Sequence, residues 1–132
     1  MKLEEFFWME ELTTIRFGLR KDGIMEIHIR KDCVLDLEEA QETVRIIGEK
    51  GKGQAFPNLL IPEPGSNISK KARSFSVSEE ANAYTLADGI LVQSVIHRMV
   101  ANAFMSIKKP AKPTQIFTKE KEALDWLKCF LR

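Results

Sequence analysis

The chain has almost no cysteine and almost no histidine: Cys33 and Cys129 stand far apart, and His28 and His97 are the only imidazoles. One distant cysteine pair is not a disulfide framework, and both thiols read as reduced, as in a reducing compartment. There is no C-x-x-C pattern and no set of histidines and carboxylates at ligand spacing, so neither a metal nor a cofactor is expected. Charge of one sign is also missing. Lys and Arg number 20 against 19 Asp and Glu, a net charge of +1, which gives no drive toward nucleic acid. No apolar run approaches the roughly 18 residues of a membrane span. The first residues, Met1-Lys2-Leu3-Glu4-Glu5, carry acids where a secretion signal carries bases, so a cytoplasmic location is expected.

Catalytic signatures are absent too. Asp88, Ser94 and His97 do not belong to a G-x-S-x-G elbow. Gly48-Glu49-Lys50-Gly51-Lys52-Gly53 resembles a phosphate loop in composition only. It closes a helix, whereas a phosphate loop follows a strand and opens one. No nucleophile, base and orienting group can be assembled, and the reading is non-enzymatic. Repeats, low-complexity tracts and linkers are lacking, so residues 1–132 are expected to form one domain. Residues 1–11 read as an apolar and acidic extension of it.

What is present is periodic. Ile15, Phe17 and Leu19 alternate with Thr14, Arg16 and Arg20. Met25, Ile27 and Ile29 alternate with Glu26, His28 and Arg30. Asp22-Gly23 between them predicts a hairpin with a two-residue type I′ turn. The period then changes to 3.6. Asp36 with Glu39 predicts a helix start, and Leu37, Ala40, Val44 and Ile47 its apolar stripe, closed by Gly51 and Gly53. Leu59-Leu60-Ile61, bounded by Pro57 and Pro62, predicts a strand covered on both faces.

A second helix is expected from Ser66 or Asn67, with Ile68, Ala72 and Phe75 on its apolar side. Ser78 caps a further turn. Ala87–Val92 predicts a strand, and Ser94 a helix running to Ile107. Thr114–Phe117 predicts the last strand. Thr118 then caps a last helix with Ala123, Leu124, Leu127, Phe130 and Leu131 on one face. The order ββαβαβαβα implies a five-stranded, mostly parallel sheet with an N-terminal hairpin and four helices. Its expected core is Ile27, Leu60, Val92, Val100, Phe104, Ile116, Leu124 and Leu127.

Several segments carry a resemblance. They are Ser69-Lys70-Lys71-Ala72-Arg73, Glu79-Glu80-Ala81, Asn102-Ala103-Phe104, Lys109-Pro110 with Pro113-Thr114 and Phe117, and Glu122-Ala123-Leu124-Asp125-Trp126-Leu127. Across residues 12–131 the chain resembles small bacterial proteins of unknown function with the SpoIIAA-like (STAS) fold. In the anti-anti-sigma relatives, an Asp-Ser-Ser/Ala-Gly turn holds a phosphorylatable serine at a helix N-terminus. The corresponding stretch here is Pro64-Gly65-Ser66-Asn67-Ile68-Ser69, which lacks the preceding Asp and the following Gly.

Two candidate sites follow. Ser66 and Ser69, with Lys70, Lys71 and Arg73 behind them, form the expected phospho-switch or partner contact. Free N–H groups and nearby cations suit a phosphate. The plainer reading is a helix cap followed by a solvated basic face. Phe6, Phe7, Trp8 and Met9 form the expected dimer or partner patch, with burial in the core as the plainer reading. The expected role is a regulatory or protein-interaction module whose partner is another protein or a second copy of the chain. The alternative is a domain binding a small apolar or acidic ligand in a cleft at the strand C-termini, lined by Phe75, Phe104 and Trp126.

Overall fold

The computed structural model of the chain describes residues 1–93 and 111–131. A single 3-10 turn, Leu3–Glu5, leads into strand β1, Phe6–Glu11. Then come β2 (Ile15–Arg20), β3 (Met25–Ile29), β4 (Val34–Leu35) and helix α1 (Leu37–Lys50). Next are β5 (Phe56–Pro62), β6 (Asn67–Ile68), helix α2 (Lys70–Ser76), β7 (Thr85–Leu91), β8 (Thr114–Phe117) and helix α3 (Glu120–Lys128). The helix expected from Ser94 to Ile107, with His97, Val100, Asn102 and Phe104, lies outside the described residues.

One six-stranded sheet has the order β1-β2-β3-β5-β7-β8, and β4 with β6 makes a second, two-stranded sheet. Strands β3, β5, β7 and β8 run parallel, and β2 is antiparallel to β3, as the change of period predicts. The sheet is larger than expected by one strand. Phe6–Glu11 is an antiparallel edge strand on β2 and not an extension beyond the fold. Its alternation is hidden by a bulge at Phe7, which shifts the register between Phe6 and Trp8. Gly18 lets β1 lie this close: a Cβ there would stand 2.6 Å from the Trp8 carbonyl oxygen and 2.8 Å from the Phe6 ring.

The hairpin forms where expected, with a different turn. Arg20 N–H bonds the Ile24 carbonyl, and Gly23 N–H bonds the Arg20 carbonyl, both at 2.9 Å. The loop is therefore three residues, Lys21-Asp22-Gly23, with only Gly23 at positive φ (+91°). That is a turn closed by a glycine bulge, and Asp22 needs no left-handed backbone. Its carboxylate instead accepts from Ile24 N–H at 3.2 Å.

Asp36 caps α1 by accepting from Leu37 N–H at 2.8 Å. Glu39 does not reach back to the cap. It accepts from the Thr14 backbone N–H and hydroxyl, at 2.9 and 3.0 Å, and so ties α1 to the β1–β2 connection. The last helix starts later than Thr118 suggests. Lys119 occupies the cap position with no side-chain bond, and Phe130 and Leu131 lie beyond the helix end. Ser78 does cap a turn, accepting from Ala81 N–H at 3.1 Å.

The sheet carries a core on each face. On one, Ile15, Phe17, Met25, Ile27 and Ile29 pack against Ile46 and Ile47 of α1. On the other, Leu59, Ile61, Ala87 and Phe117 pack against Ala123 and Leu127 of α3. Of the expected core, Ile27, Val92 and Leu127 are buried. Leu60, Ile116 and Leu124 are half-buried among the described residues.

Candidate functional site

The stretch from Glu63 to Arg73 leaves the central strand β5 and enters α2. Gly65 takes φ +75° where the chain turns, and a side chain there would collide with the Asp32 carboxylate. Asp32 N–H bonds the Pro64 carbonyl at 3.1 Å. The chain then runs beside the residues that precede α1: Val34 pairs with Asn67, and Leu35 with Ile68. Asn67 and Ile68 are thus a strand, and the helix begins after them, at Lys70. The start expected at Ser66 or Asn67 is displaced because Asn67 and Ile68 pair with β4 first, while Ser66 N–H bonds the Glu63 carbonyl.

This moves the cap to Ser69. Its Oγ accepts from Ala72 N–H at 3.1 Å and donates to Asp36 Oδ1 at 2.7 Å. Asp36 is itself the cap of α1, so one hydroxyl joins the N-terminal ends of two helices. The Ser69 hydrogen bond, with help from Leu37 N–H, holds the exposed Asp36 carboxyl below the usual carboxylate range, and the Lys71 charge adds to this. Lys70, Lys71 and Arg73 are exposed on α2. Ser66 is not at the helix end; its Oγ is buried and without a hydrogen-bond partner among the described residues. The sequence places both serines at one helix start, with Ser66 as the plainer cap and Ser69 as the residue favoured for modification or contact; the structure makes Ser69 the cap and separates the two by the two residues of β6. The sequence marks Asp36 as a helix cap and carries no signal that Ser69 meets it from 33 positions away.

The N-terminal group divides. Phe6 is buried over Gly18. Trp8 stands edge-on to Phe17, ring centroids 6.0 Å apart, with the Lys50 ammonium 5.2 Å from its own ring centre. Met9 is half-buried, also over Gly18. Phe7, at the bulge, is 64 % exposed. Of the four residues it is the one open to a partner.

Between α1, α2 and the sheet lies an apolar hollow of about 360 Å³. Ile27, Leu60, Ile90 and Phe75 line it, and Asn58, Thr85 and Asp88 bring polar atoms to it. Asn58 Nδ2 donates to Thr85 Oγ1 at 3.0 Å and to Asp88 Oδ1 at 3.1 Å. Burial pushes the Asp88 carboxyl up, against the Asn58 bond. Trp126, expected beside Phe75, lies on the opposite face against Phe117 and Phe130. The hollow spans the face of the sheet and is not confined to the strand C-termini.

A third polar cluster was not anticipated. On β2 and β3, Arg16, Arg20, Glu26 and His28 point away from α1 and are paired. Arg16 Nη2 meets Glu63 Oε2 at 2.9 Å; Arg20 meets Asp22 and Glu26, both at 2.9 Å. The His28 ring lies between Glu26 Oε2, 2.7 Å from Nε2, and Glu63 Oε2, 3.1 Å from Nδ1. Burial pushes the Glu26 carboxyl up, but hydrogen bonds from His28 and Arg20 outweigh it and hold the group low. For Glu63, burial is likewise outweighed, by the Lys31 N–H, the Arg16 charge and His28. The alternation of polar residues was plain in the sequence, but not that they would bond one another. Among the described residues no group of three or more His, Cys, Asp and Glu could hold a metal ion, and no helix is long and apolar enough to cross a membrane.

Comparison with known proteins agrees with this architecture. Residues 17–131 match the model of a domain of unknown function, DUF7793, and the chain belongs to that family. No curated protein matches it. Its structure is similar to a crystal structure of an uncharacterised DUF3478-family protein with a SpoIIAA-like fold from Shewanella loihica PV-4. The TM-score is 0.62 at 13 % identity, over 89 % of this chain and 97 % of that one. The fold is therefore SpoIIAA-like, as the sequence resemblance implies.

Proposed function

We propose that this DUF7793 member is a regulatory, protein-interaction module of the STAS type, working through the face formed by Asp36, Ser69, Lys70 and Lys71. The partner is another protein or a second copy of the chain. The observation that carries the reading is the double role of the Ser69 hydroxyl, which caps α2 and bonds the cap of α1. A phosphoryl group on Ser69 would remove the donor that Asp36 now uses and set a second anion beside that carboxylate. Lys70 and Lys71 would remain as charge-assisted donors to the phosphate, or to a partner's carboxylates when the serine is bare. A change of one group would thus act on two helix ends. The exposed Phe7 gives the same module a separate apolar contact at the sheet edge.

The test compares the parent with Ser69→Asp, Ser69→Ala and a Lys70→Glu/Lys71→Glu double variant. Affinity for a partner recovered with the parent protein is measured, together with self-association by sedimentation. Ser69→Asp and the double charge reversal are expected to weaken binding at least tenfold, and Ser69→Ala less. Variants that all keep the fold and bind like the parent would refute the role of this face.

A further inference from the structure

We propose that His28 is a proton-operated anchor for the loop that runs from Glu63 to Ser69. The argument starts from what each group can offer. An ionised carboxylate only accepts hydrogen bonds, and a neutral imidazole has a single N–H. The His28 ring nevertheless has a carboxylate at each nitrogen, Glu26 at 2.7 Å and Glu63 at 3.1 Å. Both contacts are favourable together only when the ring carries two protons. The charges around it give the same answer. Among the described residues Arg16 and Arg20 face Asp22, Glu26 and Glu63, so two cations meet three anions, and a protonated ring makes that count even. Arg30 and Glu11 form a separate pair at 3.3 Å. Glu26 and Glu63 are both held below the usual carboxylate range, so each offers the ring an acceptor and no donor. Water does little to replace a lost contact, because the His28 and Glu26 side chains are only 13 % and 9 % exposed.

The consequence travels through Glu63. Its carboxylate also accepts from Lys31 N–H at 3.0 Å and from Arg16 at 2.9 Å, and its own N–H bonds the Ile29 carbonyl. Ser66 N–H in turn bonds the Glu63 carbonyl at 3.0 Å. Glu63 is therefore the near post of the loop whose far post is Ser69. With the ring doubly protonated, Glu63 is held by β2, β3 and the Lys31 turn together. Once a proton is lost, one carboxylate faces a lone pair instead of a donor. The more distant contact, to Glu63, is the one that gives, and the Glu63–Ser69 loop loosens as pH rises. The functional weight of this rests on the reading of the Ser69 face above, but the titration itself is independent of it, because it is read in the isolated protein.

The experiment follows backbone amide and histidine ring resonances by NMR between pH 5 and 8, in the parent, in His28→Gln and in Glu63→Gln. In the parent the Lys31 amide and those of residues 66–69 should move with the midpoint of the His28 ring. His28→Gln should abolish that movement. Glu63→Gln should keep the ring titration and uncouple Lys31 from it. Loop amides that stay flat in the parent, or move equally in His28→Gln, would overturn the proposal. Should His28→Gln fail to fold, Glu63→Gln decides alone, since continued movement of Lys31 in that variant refutes the coupling.

Discussion

Leu59 and Glu26 are register partners across β5 and β3, point to the same face of one sheet, and live in different chemistry. Leu59 lies under α3 with Ile61, Ala87 and Phe117, where Leu127 reaches down onto Gly89, 3.1 Å from the place a Cβ would take. Glu26 lies among Arg20, His28 and the other charges of β2 and β3, and is also buried, at 7 % exposure. The comparison shows two ways of closing a sheet face. Under the helix, stability comes from apolar area removed from water and is indifferent to pH. Among the ions it depends on every charge having its partner, and a single proton can change it.

The largest effect expected is on the apolar side. Leu127 is fully buried, and Leu127→Ala should cost about 2–5 kcal/mol, because the α3 seat cannot close over the space left. Urea melts would show it as a fall in midpoint. A loss under about 1 kcal/mol would mean that α3 is not what seals this half of the sheet.

The ionic half should give a smaller loss of a different form. Glu26→Gln keeps shape and one acceptor but removes the charge facing Arg20 and His28, and should cost about 1–2 kcal/mol at neutral pH. Its signature is pH. The Glu26 and Glu63 carboxyls are held below their ordinary values in the folded state. Their contribution is therefore complete above the unfolded value near pH ~4.3, and is lost as pH falls through the lower folded values. Thermal midpoints of the parent should drop in acid, and those of Glu26→Gln should drop less. Parallel curves would assign the acid sensitivity to other carboxylates. Leu127→Ala should shift the curve without changing its shape, which keeps the two halves distinguishable.

The sequence showed these halves unequally, for physical reasons. Period-two alternation in Ile15–Ile29 and the 3.6 period after Asp36 are local signals, and they located the hairpin, the parallel strands and α1. Phe6–Glu11 escaped because a bulge breaks its alternation and because its closeness to β2 depends on Gly18, a residue with no pattern of its own. The late start of α2 escaped because β4 and β6 are two residues each and exist only by pairing with each other. For the candidate site, Ser69 and its basic neighbours were legible as a helix start with cations. The bond to Asp36 was not, since contacts between two helix caps leave no periodic trace. The charged face was visible as alternation and invisible as a network, for the same reason.

Ser69→Ala gives the smallest change in stability. The substitution removes the Oγ that accepts from Ala72 N–H and the donor at 2.7 Å from Asp36. Loss of a serine cap costs about 1 kcal/mol, and the cost here falls at the low end because α2 has only seven residues to lose. The pairing of β4 with β6 still holds Asn67 and Ile68 in place, and Ser69 N–H still bonds the Leu35 carbonyl at 2.9 Å. The change should therefore be local. Amide exchange should quicken at residues 70–73 and at Leu37, whose N–H shares the Asp36 acceptor, while β3, β5 and α3 keep their rates. Faster exchange throughout the sheet would show the two capped helix ends to be part of the structural core. Faster exchange confined to those ends leaves them as a surface element, free to be moved by a partner or a phosphate without cost to either half of the sheet.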